Sequence, residues 1–173
     1  MLMSFTSGVK RQLWYTTTAK ITFFSHTTVE DIKAVNKAVV LAFDQDAGDI
    51  SAKVTIKSFL FKKKLMQEHF NENYLESDIY PYANYKGKIL DINKVNFAKD
   101  STYKVKTKGK LTIHGVTKDV STYGTLQIEG AKATIDAKFE VLLEDFNIKK
   151  PSVVAIKIAD KIEVTIKGVC NKK

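Results

Sequence analysis

Cysteine occurs once in the 173-residue chain, as Cys170, which excludes an internal disulfide, a CxxC redox pair and a cysteine-built zinc centre. Arginine also occurs once, as Arg11, and every other basic side chain is lysine. Lysine is a hydrated point charge without the planar fork by which arginine reads guanine edges or grips phosphate at two points. The 28 basic residues outnumber the 19 acidic ones and give a formal charge of +9. In so arginine-poor a chain that excess argues against sequence-specific binding of nucleic acid and describes a solubilising lysine coat. No apolar run reaches the ~18 to 20 residues of a membrane-spanning helix or the ~7 or more of a signal-peptide centre. Among the three histidines there is no HxH or HxxxH pair, and the chain has no GxSxG elbow, glycine-rich phosphate loop or HExxH helix. Neither a metal site, nor a cofactor, nor an enzymatic activity is therefore expected. With two prolines, eight glycines and 44% hydrophobic residues, the composition is that of one globular domain able to build its core unaided.

What is present is alternation. Over residues 104–113 the sequence KVKTKGKLTI places four lysines on one face and Val105, Thr107, Gly109, Leu111 and Ile113 on the other, the period of a strand with one wet face. Residues 134–143 repeat it with Ile135, Ala137, Phe139, Val141 and Leu143, and Ile162, Val164 and Ile166 repeat it again. Weaker versions cover residues 14–24, 35–43, 49–59, 83–90 and 120–128, making about eight strands. Short links near Gly48, Gly115 and Gly130 predict antiparallel hairpins, because parallel neighbours need longer crossovers. Gly87 and Gly109 fit bends where a sheet turns a corner better than vacated ligand space.

Between the third and fourth strands, Met66, Phe70 and Tyr74 recur at helical spacing with Leu65 and His69 beside them. This predicts a single helix of two turns or more, ending before Pro81. A second irregular stretch, residues 144–160, precedes the last strand. Tyr74, Tyr80, Tyr82 and Tyr85 are expected to gather as an aromatic entrance. His69 is expected to pin the helix to the sheet or to meet a ligand head group, whereas His26 and His114 fit no functional pattern. Cys170 is expected to be a small buried residue. Such a set of strands can hide its apolar face in two packed sheets or in one closed barrel, and alternation does not choose between them.

Three segments carry a more specific signal: MQEHFNENYLESDIYP at residues 66–81, GKLTIHGVTKDV at 109–120 and DFNI at 145–148. In this order they resemble the YceI family, over about residues 14–170. The resemblance implies an all-β fold with one short helix: an eight-stranded antiparallel lipocalin-like β-barrel with the helix covering one end, over residues 12–171, after an N-terminal extension of residues 1–11. It further implies a non-catalytic carrier or sequestering role for a long apolar ligand, a polyisoprenoid or a fatty-acid- or amide-like lipid, held in the barrel interior. The candidate ligand-contacting residues are then Ile56, Tyr85, Tyr103, Val105, Leu111, Ile113, Ile135, Phe139 and Val141 on the barrel and Met66, His69, Phe70 and Tyr74 on the helix. Family members are commonly periplasmic or otherwise exported, so export is implied although no leader is visible in this sequence, and a cytoplasmic location stays open. A homodimer and transient contact with a membrane surface also stay open. Two other functions remain: binding of an anionic polymer or membrane through Lys62, Lys63, Lys64 and the lysines of residues 104–110, and a small-molecule enzyme using the same cavity.

Overall fold

A strand that alternates apolar and polar residues has one face to bury, and a sheet of such strands can bury that face by curling onto itself. The computed structural model describes residues 11–173, and in it the sheet closes. In chain order the strands are β1 (Leu13–His26), β2 (Asp31–Asp44), β3 (Asp49–Thr55), a two-residue β4 (Leu60–Phe61), β5 (Tyr82–Ile89), β6 (Ser101–Ile113), β7 (Val116–Glu129), β8 (Lys132–Leu142) and β9 (Lys161–Lys172). Every pairing is antiparallel, and β1 pairs with both β2 and β9, so eight strands form an up-and-down barrel without free edges. β4 lies outside that circuit, paired to β2 through Val35 and Ala34. The expected N-terminal extension, residues 1–11, lies outside the described residues except for Arg11.

Several expectations need adjusting. The third strand ends at Thr55 instead of reaching residue 59, because Ile56 turns inward as the first residue of a 3-10 segment, Ile56–Ser58. The helix α1 (Lys64–His69) continues into a π-helical turn, Phe70–Tyr74, closed by Leu75 N–H donating to the Phe70 carbonyl. This wide turn leaves Phe70 and Tyr74 on the same side as Met66. A further helical segment, Ser152–Lys157, has 3-10 form and lies in the loop before β9, where an irregular connection is expected from the sequence.

Closure needs bending. β1 slips register between Thr16 and Ala19 and again between Ala19 and Ile21, bulges that let the strand curve between β2 and β9. On the opposite wall Gly87 and Gly109 face each other in register, and a Cβ on Gly109 would come 2.5 Å from Gly87 Cα. No side chain fits there, so the two backbones approach closely and the wall bends. The Tyr85 ring folds over the gap, with its hydroxyl 2.6 Å from where a Gly87 Cβ would stand.

The barrel end away from the helix is plugged. Trp14 stacks on Phe43 at 6.1 Å between ring centroids and on Phe97 at 5.8 Å, and its Nε1–H donates to Gln45 Oε1 at 3.0 Å. Ile128, Ala133 and Cys170 are fully buried as well. Burial pushes the Cys170 thiol up to about 12, so it stays protonated across the physiological range.

Two outcomes follow from this packing. Gly109→Ala is expected to lose about 2 kcal/mol or more, because backbone must move to admit the methyl, and thermal unfolding should fall by roughly 4 °C or more. Cys170 should resist a thiol-specific reagent in the native protein and react fully once the chain is denatured, which absorbance of the released chromophore measures.

Candidate functional site

The helix end of the barrel is organised by one side chain. His114 and Gly115 are the two central residues of the β6–β7 hairpin, and both have positive φ, 52° and 73°, as a type I′ turn requires. From that corner His114 Nε2 lies 2.6 Å from Glu76 Oε2, in the segment leaving the helix, and Nδ1 lies 3.1 Å from the Phe146 carbonyl, in the loop after β8. The two ring nitrogens thus face two different loops, and the imidazole bridges them. Tyr80 packs edge-on against the same imidazole at 4.7 Å, and a Cβ at Gly115 would strike its ring at 2.6 Å. Glu76 and Asn147 also have positive φ, 43° and 54°, so each of the three loops carries a strained residue at the junction.

The helix so held stands over the barrel mouth. Phe70 inserts among Phe23, Phe59 and Phe61 at centroid distances of 5.0 to 5.5 Å, the contact that seats the helix on the sheet. Beside this cluster lies a cavity of about 350 Å³, at the lower end of the ~300 to 1,000 Å³ typical of ligand sites. Met66, Phe70, Tyr74 and Leu75 form its helix side, Phe23 and Ile162 its barrel side, and Leu143, Ile148, Val154 and Ile158 its third wall. Burial raises the Tyr74 hydroxyl above the usual phenol range. Its charged groups stand at the rim, and within the lining the Ser25 hydroxyl is buried and accepts the Ala159 N–H. Lys63 Nζ donates to Glu30 Oε1 at 2.7 Å, and this hydrogen bond is the main reason the Glu30 carboxyl titrates below the usual carboxylate range. Lys157 and His69 complete that rim.

A second cavity, about 90 Å³, lies deeper, between Ile21, Leu41, Leu111, Ile135, Phe139 and Ile166. One wall of it is polar. Tyr85 Oη lies 2.7 Å from Thr107 Oγ1, which lies 2.9 Å from Thr122 Oγ1, so three hydroxyls run across β5, β6 and β7 inside the barrel. Burial raises Tyr85 as well, partly offset by the Thr107 hydrogen bond.

The thirteen candidate residues separate by height in the barrel. Met66, His69, Phe70 and Tyr74 line the mouth cavity, and Tyr85, Leu111, Ile135 and Phe139 line the inner one. Ile56, Tyr103, Val105, Ile113 and Val141 line neither. Ile56 and Val141 are buried in packed core, and the Tyr103 hydroxyl accepts the Asn96 N–H. The four tyrosines do not gather at an entrance. Tyr80 serves His114, and Tyr82 lies outside the barrel under Lys53 Nζ at 3.8 Å. Nor does His69 pin the helix, since its Nδ1 meets only Asn73 one turn on, at 3.0 Å. That role falls to His114, which sequence reasoning passed over; its place beside Gly115 in a two-residue hairpin was the available signal.

The model of the YceI-like domain matches residues 14–170. The chain belongs to the YceI family. No curated protein matches the sequence. Among solved structures, a polyisoprenoid binding domain from Saccharophagus degradans implicated in plant cell wall breakdown is similar with TM-score 0.82 at 12% identity, covering 95% of this chain and 100% of that one. Burkholderia cenocepacia BcnA follows with TM-score 0.71 at 19% identity, covering 88% and 95%. Campylobacter jejuni YceI protein has TM-score 0.64 at 18% identity, covering 86% and 89%. At these identities the likeness is one of fold. In this YceI chain the three segments that carry the sequence resemblance supply Glu76 and Tyr80, His114 and Gly115, and Phe146 to the junction, and also Met66, Phe70, Tyr74, Leu111 and Ile148 to the cavities.

Removing the junction has a definite expected cost. His114→Ala should destabilise by about 1 to 3 kcal/mol, lowering the unfolding temperature by several degrees, because a carboxylate and a carbonyl lose their imidazole partner. His69→Ala, which removes an exposed side chain hydrogen-bonded only to Asn73, should stay within about 0.5 kcal/mol. Differential scanning calorimetry of the two variants beside the parent reads both.

Proposed function

We propose that this YceI protein is a non-catalytic carrier that binds one apolar chain-like molecule, of isoprenoid or fatty-acyl type, with its tail in the mouth cavity beneath the helix. The observation that carries the reading is that cavity: mostly apolar in its lining, bounded by a separately anchored helix, with charge confined to the rim. An unpaired polar atom in such a lining would cost on the order of 1 to 3 kcal/mol, so the arrangement selects hydrocarbon. Each methylene buried contributes roughly 0.8 kcal/mol, and ten would outweigh several kcal/mol of ordering cost. Lys63, Lys157 and Glu30 stand where a polar head would emerge, and the lysines favour an anionic or hydroxylated one. The family and the polyisoprenoid binding described for the Saccharophagus degradans neighbour support the same class of ligand. The inner cavity is too small for such a molecule as it stands, and it serves at most the tip of a chain that reaches past Phe23. A carrier of this kind belongs with membranes on the exported side of the cell, which is part of the same proposal.

Native mass spectrometry of the purified protein, followed by solvent extraction, should reveal a co-purifying lipid. Val154→Trp tests the place. Val154 sits half-buried on the 3-10 segment and not in the barrel wall, so a larger ring there fills the cavity while leaving the sheet intact. Binding of a fluorescent fatty acid should weaken about tenfold or more, with the unfolding temperature within roughly 3 °C of the parent. Absence of any lipid in the parent together with no binding of the fluorescent probe would reject the carrier reading.

A further inference from the structure

Exposed apolar side chains scattered singly need no explanation, but a group of them around one opening does. Val29 (53% exposed), Leu60 (64%), Leu65 (63%), Val153 (88%) and Ile156 (70%) all project from the segments that frame the mouth cavity. Leu65 lines that cavity itself, and each of the others is adjacent in sequence to a lining residue: Glu30, Phe61, Val154 and Lys157. They come from three separate places in the chain, the β1–β2 turn, β4 with the start of α1, and the loop before β9. The same segments carry Lys62, Lys63, Lys64, Lys149, Lys150 and Lys157. Some are committed: Lys63 to Glu30, Lys150 to Asp160 and Lys64, loosely, to Glu68. Among the described residues Lys62, Lys149 and Lys157 enter no ion pair.

We infer that the mouth is a docking surface for an anionic lipid bilayer, in which the apolar tips enter the headgroup region while the lysines meet phosphate and carboxylate groups. Apolar tips among lysines are the combination that favours an interface between hydrocarbon and negative charge, and each lysine held near such a surface adds attraction that salt screens. The competing basic surface is the lysine stripe on the outer face of β5 and β6. There the exposed aromatics Tyr82 and Tyr123 lie under Lys53 and Lys106, so that face offers charge with little free apolar surface. The inference rests on the carrier reading for its purpose, delivery of a ligand at the opening it uses. The surface itself is argued from exposure and charge alone.

The test is co-sedimentation of the full chain with phosphatidylcholine vesicles, with and without phosphatidylserine, at low and high salt. The parent should bind the anionic vesicles and release them as salt rises. The triple variant Leu60→Ser, Val153→Ser, Ile156→Ser changes no residue lining the cavity, so it should keep its fluorescent fatty-acid binding and unfolding temperature while vesicle affinity falls about tenfold. Lys86→Gln with Lys108→Gln, on the stripe, should change vesicle binding less than twofold. No binding to anionic vesicles by the parent overturns the inference, as does vesicle binding that survives the triple substitution or is lost with the stripe lysines instead. Self-association of the parent that the triple variant abolishes, without vesicle binding, assigns the surface to a second copy and also overturns it. Loss of fatty-acid binding in the parent would count against the carrier reading, separately from the vesicle result.

Discussion

The helix end of this barrel depends on one imidazole bridging two loops at once. An up-and-down barrel is self-supporting along its strands, since every strand has two hydrogen-bonded neighbours, but its loops have no such ladder. Three of them meet at His114, through Glu76, Phe146 and the edge-on Tyr80 ring. The helix is thereby fixed at its exit while Phe70 seats its middle on Phe23, Phe59 and Phe61. Two anchors on one side leave the other side unfilled, and the mouth cavity is that unfilled space.

Much of this could be read from sequence because alternation reports directly on which side of a sheet a residue lies. Leu111, Ile135 and Phe139 face the barrel interior, the side that parity alone predicts for them. Parity does not report height along the barrel, which is why Val105 and Ile113, with the same parity as Leu111, line neither cavity. Helical spacing located Met66, Phe70 and Tyr74, and the π-turn that keeps them together left no mark in the pattern. The third wall of the mouth, Leu143, Ile148, Val154 and Ile158, comes from a loop without period, and only tertiary structure assembles it. The hydroxyl row of Tyr85, Thr107 and Thr122 was hidden for another reason: threonine is an ordinary strand residue, and its partner across the sheet depends on register. The segments that carry the family resemblance meet at the junction while also lining both cavities, a convergence that their spacing in the chain does not show.

The lysine coat is also more ordered than composition suggests. Lys86 faces Lys110 and Lys88 faces Lys108 across β5 and β6, arrangements that would repel if left alone. The flanking strands answer each: Asp119 on β7 reaches Lys110 at 3.0 Å, and Asp49 on β3 reaches Lys88 at 3.1 Å. One lysine of each facing pair is thus answered by a carboxylate, while Lys86 and Lys108 enter no ion pair among the described residues and keep their charge in solvent.

The stack of Trp14, Phe43 and Phe97 makes the barrel a blind-ended vessel and not a pipe. A guest in a vessel with one door cannot pass through; it must leave by reversing its entry. Whichever end goes in first stays deepest, so the polarity of a chain-like guest is decided at the threshold and kept until departure. Entry and exit are then the same path travelled in opposite directions.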